Sequence, residues 1–340
     1  MGNLFYDGST CKTAMKLEKI PLVSKAPVLC LAYNSDQGIL AVGQLSDSNK
    51  RPCLSLWNLS SRKSIQLVED NIQGSIWAMS FDYTGRRLIY SDNTHLFILE
   101  VSSNRKQAIE GDHKRINRIV SSMKSPRVIV SGARTEVLNI ETGEQLWNLT
   151  GYHGFDTTEN LEIQELPHDW NISEQLNFKN APAAVEILRT GEIILVGGHN
   201  KGTIEMIEIS DGRLLKTIRP APIQTYWMSL GCNETVLAVS SKIPYASFLW
   251  SLENGERILP DLFNERFGGY SSICLHSTKR LMASGSLVGF VSLRDLDNGN
   301  FLFSEQLHES RVSQIILSER TNTIFSGGED GEVRIIEFDI

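Results

Sequence analysis

Internal repetition is the feature of this sequence that most constrains its fold. Short apolar runs recur in groups of four, separated by polar turns, and successive groups begin about 40–45 residues apart, the spacing of a four-stranded sheet repeated around a ring. Within many of the runs apolar and polar residues alternate, as they do in a half-buried strand. The sequence therefore predicts an all-β chain built from repeated sheets.

The repeats can be placed along the whole chain as seven units. They occupy residues 28–69, 76–110, 116–150, 183–219, 225–260, 271–306 and 312–340. Their third runs align best and read LSLWNL, LFILEV, EVLNI, IEMIEI, SFLWSL, VSLRDL and VRIIEF. Several are followed by turns such as Ser210-Asp211-Gly212, which place glycine where a hairpin needs positive φ. The alignment and the turns thus support the same period.

The last unit predicts how the ring closes. It contains three strand-like runs where the others have four, and an isolated run at 14–20 (MKLEKI at its centre) has no neighbour in sequence. Open sheet edges leave backbone groups unpaired. We therefore expect 14–20 to pair beside 332–338, giving a single closed seven-bladed β-propeller over residues 1–340, although a chain of this length often has two domains.

Several repeats resemble those of the WD40 family, and the resemblance covers nearly all of the chain. Trp57 in WNL and Trp250 in WSL occupy the place of the Trp-Asp dipeptide, the run Ser326-Gly327-Gly328-Glu329-Asp330-Gly331 is similar to the family's Ser-Gly-x-x-Asp-Gly loop, and His308 stands where its Gly-His histidine would. The resemblance implies that His308, Ser326 and Asp330 form a buried hydrogen-bonded network in the last blade, although Ile336 replaces its tryptophan.

Composition narrows the classes of partner. The net charge is −7, which argues against affinity based on phosphate neutralisation and hence against a nucleic-acid platform. No apolar run approaches the roughly 18–20 residues of a membrane helix. The five cysteines, Cys11, Cys30, Cys53, Cys232 and Cys274, are scattered without metal-ligand spacing and indicate reduced thiols in a cytoplasmic protein.

The insertion at 151–180 interrupts the period and is the preferred contact element. It joins two blades, so it belongs to the upper face, and it combines acidic residues with the aromatic residues Tyr152, Phe155 and Trp170. Long loops of this kind are commonly functional, and aromatic anchors dominate interface energies. The alternative is that the loop folds onto the ring and its aromatic residues cover the core.

Other candidate contact residues lie in shorter loops. Tyr245 belongs to the loop 242–246, which reaches the same face as the loop 44–52, and His199 follows a second strand. Arg115 lies in a basic cluster at 113–118 that also holds Lys114 and Arg118, and a second such cluster spans 103–106. These clusters would suit phosphates or acidic partner segments, but short charge runs are commonly solvated loops, which is the favoured interpretation.

The sequence gives little support for catalysis or for the binding of a metal or cofactor. It has no G-x-S-x-G elbow, Walker loop or Rossmann glycine motif, and no cysteine beside a recognisable histidine partner. His153, His168 and His199 would need to converge with matched geometry to hold a metal, so no metal or cofactor is predicted. His113 and His308 are expected to serve as hydrogen-bonding residues at blade junctions.

Three functions remain open. The first is a non-catalytic interaction scaffold or adaptor subunit of a multiprotein complex, which binds proteins or peptides through the upper face and rim. The second is a sensor or regulatory subunit whose propeller recognises a peptide or protein and controls an associated enzyme. The third, a propeller hydrolase or lyase, predicts titratable residues with perturbed pKa values around the central channel. No small-molecule substrate is inferred.

Overall fold

A computed structural model describes most of the repeated units of the chain. The described residues are 15–22, 24–46, 53–67, 74–92, 95–111, 113, 116–132, 135–148, 184–188, 192–197, 204–210, 213–218, 225–241, 247–258, 269–318 and 320–339. Regular structure in these residues consists of β-strands. The predicted insertion 151–180 lies outside the described residues.

The strands form seven antiparallel sheets, one for each predicted unit. Blade 1 contains β2 (Val28–Asn34), β3 (Ile39–Gln44), β4 (Leu54–Asn58) and β5 (Lys63–Leu67). Blade 2 contains β6 (Ala78–Phe81), β7 (Arg87–Ser91), β8 (Leu96–Glu100) and β9 (Arg105–Ile109). Blade 3 contains β10 (Arg118–Ser121), β11 (Arg127–Ser131), β12 (Thr135–Asn139) and β13 (Gln145–Asn148). Blade 4 contains β14 (Ala184–Ile187), β15 (Ile193–Gly197), β16 (Ile204–Glu208) and β17 (Leu214–Ile218).

The remaining blades follow the same order with two variations. Blade 5 contains β18 (Thr225–Gly231), β19 (Val236–Ser241) and β20 (Ser247–Ser251), and in its described part the fourth strand is represented by an isolated bridge between Trp250 and Arg257. Blade 6 contains β21 (Tyr270–Leu275), β22 (Leu281–Ser286), β23 (Phe290–Asp295) and β24 (Phe301–Gln306). Blade 7 contains β25 (Val312–Ser318), β26 (Thr323–Gly328), β27 (Val333–Phe338) and, from the other end of the sequence, β1 (Met15–Ile20).

The ring closes as the sequence predicts. The first strand of every blade contacts the first strand of the next, and β25 contacts β2. Strand β1 runs antiparallel to β27 over six residue pairs, from Met15 opposite Phe338 to Ile20 opposite Val333. The prediction of a seven-bladed propeller closed by its N-terminal strand is therefore confirmed.

The core lies between neighbouring blades, and this explains why the second strands end in small residues. Gly43 at the end of β3 faces the next blade, where an added Cβ would come within 2.5 Å of Met79 Cε and 2.8 Å of Ile76 Cγ2. Gly327 on β26 is crowded in the same way by Val28 Cγ1 at 2.5 Å. Since interiors are close-packed, a side chain at either position would push two blades apart.

Side chains of one blade accept hydrogen bonds from backbone N–H groups on the inner edge strand of the next blade. Ile315 N donates to Ser272 Oγ at 3.0 Å, and Leu31 N donates to Gln314 Oε1 at 2.8 Å. Ser272 and Gln314 stand at the same register position, opposite Gly285 and Gly327. An unpaired backbone amide is costly when buried, so this position fastens successive blades, and in blade 7 its residue, Gln314, also lines the central channel.

Candidate functional site

A large concave site lies at the centre of the ring, in the channel that the first strands surround. Its volume is about 880 Å³, and it is lined mainly by the first strands of blades 1, 2, 3 and 7, together with Glu186 of blade 4 and Trp227 of blade 5. Concave sites of this size with a few convergent polar groups are the usual places for ligands.

Register explains how blades 3, 4 and 5 come together in the channel. Arg118 lies opposite Ser131, Ala184 opposite Gly197, and Trp227 opposite Ser240, so the three residues occupy the same position in their blades as Ser272 and Gln314. Side chains at this position lean over the following blade. Because blade 4 has only alanine there, the long Arg118 side chain passes blade 4 and reaches blade 5.

Arg118, Glu186 and Trp227 form what we call the channel cluster. The guanidinium carbon of Arg118 lies 4.1 Å from the centroid of the Trp227 ring, a cation–π contact. Its Nη2 lies 3.5 Å from Glu186 Oε2. Trp227 Nε1 donates to the Ile273 carbonyl at 2.9 Å, and this bond fixes the indole against blade 6. The cluster thus connects four consecutive blades.

The carboxyl group of Glu186 is electrostatically unusual. Burial raises its pKa to about 6, and the nearby Arg118 offsets part of that increase. The side chain is only 18% exposed, where it lines the channel. Its charge therefore changes close to neutral pH, unlike that of an ordinary surface glutamate.

Further polar atoms in the channel wall lack partners. Asn117 Oδ1, Ser121 Oγ and Ser313 Oγ are buried and have no hydrogen bond within the described chain. Buried polar groups in native proteins are normally hydrogen-bonded to protein, water or ligand. These atoms are therefore available to a polar occupant of the channel.

The upper mouth of the channel exposes large apolar side chains. Ile76 N donates to the Gln44 carbonyl at 3.1 Å, and Ser46 N donates to Ser75 Oγ at 2.9 Å, so the two loops run side by side. Within these loops Leu45 is 37% and Trp77 42% exposed. We call Leu45 and Trp77 the upper-mouth patch.

The structure also brings together His308, Ser326 and Asp330. His308 Nδ1 lies 3.0 Å from Asp330 Oδ1, and its Nε2 lies 2.9 Å from Ser326 Oγ. Burial lowers the pKa of His308, and Asp330 opposes that decrease. The His308 imidazole is buried and hydrogen-bonded through both nitrogens. His308 therefore has a structural role at the junction between blades 6 and 7.

Blade 3 uses a different arrangement that the sequence did not reveal. His113 is buried, with Nε2 3.3 Å from the Glu110 carbonyl oxygen and Nδ1 3.4 Å from Glu136 Oε2. Glu136 lies on the third strand, β12, and not in the loop after the second strand that supplies Asp330 in blade 7. The sequence predicts a hydrogen-bonding role for His113 at a blade junction, but its only signal for the partner Glu136 is an acidic residue near the start of a third strand.

The structure corrects one interpretation and leaves others untouched. The basic cluster at 113–118 is predicted to be a solvated surface run, but Arg118, at the start of the predicted first strand, has a side chain only 22% exposed in the channel wall. The predicted contact residues lie outside the described residues, as do two histidines considered for metal binding: Tyr152, Phe155, Trp170, Tyr245, His199 and Arg115, with His153 and His168.

Metal-binding clusters and membrane-spanning helices are both absent from the described residues. No cluster of three or more His, Cys, Asp or Glu side chains there is arranged to hold a metal ion. The same part of the chain contains no helix with the length and hydropathy needed to span a bilayer.

Comparison with known proteins gives no family assignment: no protein-family model matches the chain, and no curated protein does.

Proposed function

We propose that this chain is a WD40-type propeller that serves as a non-catalytic interaction subunit of a cytoplasmic protein complex, with its upper face as the main contact surface. The observation that carries the proposal is the upper-mouth patch, Leu45 and Trp77, on a rigid ring. Trp77 is the largest of the exposed apolar side chains in the described chain. Tryptophan is strongly enriched among residues that dominate binding energy.

Two features support the WD40 type. His308, Ser326 and Asp330 occupy the motif positions in blade 7 and are hydrogen-bonded to one another. The N-terminal strand closes the same blade. The other blades retain the architecture with different residues, as His113 and Glu136 illustrate in blade 3.

The proposal is tested by capturing partners from the native cell extract with tagged full-length protein. Trp77→Ala is expected to weaken capture of at least one partner by more than tenfold, because truncating a central interface tryptophan commonly costs about 2 kcal/mol or more. Leu214→Ala is the matched control, since Leu214 is 52% exposed but lies on the outer strand of blade 4. Equal capture by all three proteins would remove the upper-mouth patch as the contact surface.

A sensor or regulatory subunit is the second candidate, and the channel cluster favours it. A ligand in the channel would contact the first strands of several blades. Its binding could therefore change the outer surfaces of more than one blade. This function predicts that partner binding changes when a channel ligand is added. A hydrolase or lyase is less supported, because acid–base catalysis calls for a pair of positioned proton-transfer groups, and the charged partner of Glu186 among the described residues is Arg118, which stays protonated.

A further inference from the structure

The Arg118 guanidinium uses few of its donors. A guanidinium carries five N–H groups in a planar fork, yet in the described chain the only polar contact of this one is Glu186 Oε2 at 3.5 Å. Charge-assisted hydrogen bonds between such groups are usually about 2.7–2.9 Å long. Arg118 is therefore a partly buried cation whose single counter-ion is loosely held.

The cation is also held in place before any ligand arrives. Trp227 covers one face of the guanidinium at 4.1 Å, and the bond from Trp227 Nε1 to the Ile273 carbonyl keeps the ring from turning away. Ala184, at the equivalent position of the intervening blade, leaves the space that the side chain crosses. Preorganisation of this kind reduces the entropy cost of binding.

The surroundings of Glu186 contain few other charges. Among the strands that pack against β14, β10 presents Arg118, β18 carries Tyr226 beside Trp227, and β15 has no titratable side chain. β11 carries Arg127 at its first residue, paired in register with Asn139. In the described residues, burial thus favours the neutral form of Glu186, and Arg118 is the main charged group that favours its ionised form.

We propose that the channel contains a carboxylate-binding site in which the incoming carboxylate takes the Arg118 guanidinium while Glu186 accepts a proton from solvent. The fork of a guanidinium matches the two oxygens of a carboxylate. When an anion replaces Glu186 as partner of Arg118, Glu186 loses its stabilising charge and gains a neighbouring negative one. Both changes favour its neutral form.

A carboxylate fits this wall better than a phosphate dianion. The channel lining includes two arginines and no lysine, and one of the arginines, Arg311, already has Glu329 at 3.6 Å. The lining carboxylates Asp36 and Asp82 are likewise paired, with Arg320 at 2.7 Å and Arg87 at 2.9 Å, so they contribute no free cation. A single negative charge is therefore the most that Arg118 can balance, and the unpartnered Ser121 and Ser313 hydroxyls offer donors to the rest of the ligand.

The carboxylate has two chemical sources, a small free acid or an acidic side chain of a peptide. Two probes distinguish them: glycolate, and the capped tripeptide acetyl-Ala-Glu-Ala-amide. The readout is the indole N–H resonance of Trp227 in full-length protein labelled at tryptophan, assigned with Trp227→Phe. Binding is titrated at pH 6.5 and pH 7.5, where both probes are ionised.

At least one probe is expected to give a saturable shift of the Trp227 resonance. Because one proton is taken up on binding, the affinity should fall by up to about tenfold between pH 6.5 and pH 7.5. Binding of glycolate alone identifies a small-molecule site, whereas binding of the tripeptide shows that an acidic side chain can enter. Failure of both probes to bind would overturn the proposal.

Variants separate the site from general effects on folding. Glu186→Gln keeps the folded ring and Arg118, and it is expected to bind more tightly at pH 7.5 and to lose the pH dependence. Arg118→Gln should lose binding at least tenfold. Arg294→Gln is the control, since Arg294 also lies 4.1 Å over an aromatic ring, Phe301, but does not line the channel. Unchanged pH dependence in Glu186→Gln would contradict the role given to Glu186.

This site is independent of the protein partner proposed above. Loss of partner capture in Trp77→Ala with normal probe binding would support the upper-mouth patch alone, whereas probe binding without any partner effect would support the channel site alone.

Discussion

Replacing Glu186 with glutamine should stabilise the protein at neutral pH. Burial raises the pKa of Glu186 from 4.5 to about 6, so the folded protein binds more protons than the unfolded chain between these values. Stability therefore falls as the pH rises through that window and remains lower above it. The shift corresponds to about 2 kcal/mol at pH 7.5, because one pKa unit is about 1.4 kcal/mol.

Glutamine has nearly the shape of the protonated acid and avoids this cost. Urea unfolding of wild type and Glu186→Gln should show a gain of up to about 2 kcal/mol at pH 7.5, about 0.8 kcal/mol at pH 5, and little difference at pH 4. The side chain is 18% exposed, so solvent screening reduces the gain only in part. Glu309→Gln, at an exposed glutamate, should change stability by less than about 0.5 kcal/mol at each pH.

Two outcomes would refute this reasoning. If Glu186→Gln is less stable than wild type at pH 7.5, the attraction between Glu186 and Arg118 outweighs the cost of burial. If the gain persists unchanged at pH 4, it does not come from ionisation of the carboxyl group, and the proton-linked role of Glu186 in the channel loses its basis.

Two further changes test the ring itself by urea unfolding. Ile20→Ala should lower the free energy of unfolding by about 2–4 kcal/mol, because Ile20 is buried where β1 closes the ring. The control is Leu17→Ala in the same strand, which should lower it by less than about 0.5 kcal/mol because the Leu17 side chain is 49% exposed. Equal losses in the two variants would contradict the closure. Gly289→Ala should cost about 3 kcal/mol or more, since φ is +88° and the new Cβ would meet the His308 carbonyl oxygen. Gly299→Ala, with φ of +75° and open space, should cost only about 1 kcal/mol.

The sequence predicted the ring because its signals are local and repeated. Alternation in each third strand, turn glycines and the spacing between units all report on neighbouring residues. The closing strand at 15–20 followed from counting three strands in the last unit. His308, Ser326 and Asp330 were identifiable because they lie within one blade, in a stretch that resembles the WD40 motif.

The channel cluster was not predictable in the same way. Its members lie in three different blades, and the contact between Arg118 and Trp227 passes over a fourth residue, Ala184, that carries no chemistry. In the sequence, Arg118 stands close to Arg115 in a short run of charges, a pattern that predicts a solvated surface. Only the register of the first strands, aligned on Ser131, shows that Arg118 points over the next blade.

One position in the repeat explains both the stability of the ring and the site in its channel. In blades 6 and 7 that position holds Ser272 and Gln314, which accept backbone N–H groups of the following blade at 3.0 and 2.8 Å. In blade 5 Trp227 occupies it and donates to the Ile273 carbonyl. Because the position already projects over the neighbouring blade at the channel wall, placing arginine there introduces a charge into the channel without any change in backbone. Alanine in blade 4 then lets that charge reach Trp227, so the site results from two side-chain choices at one repeated position.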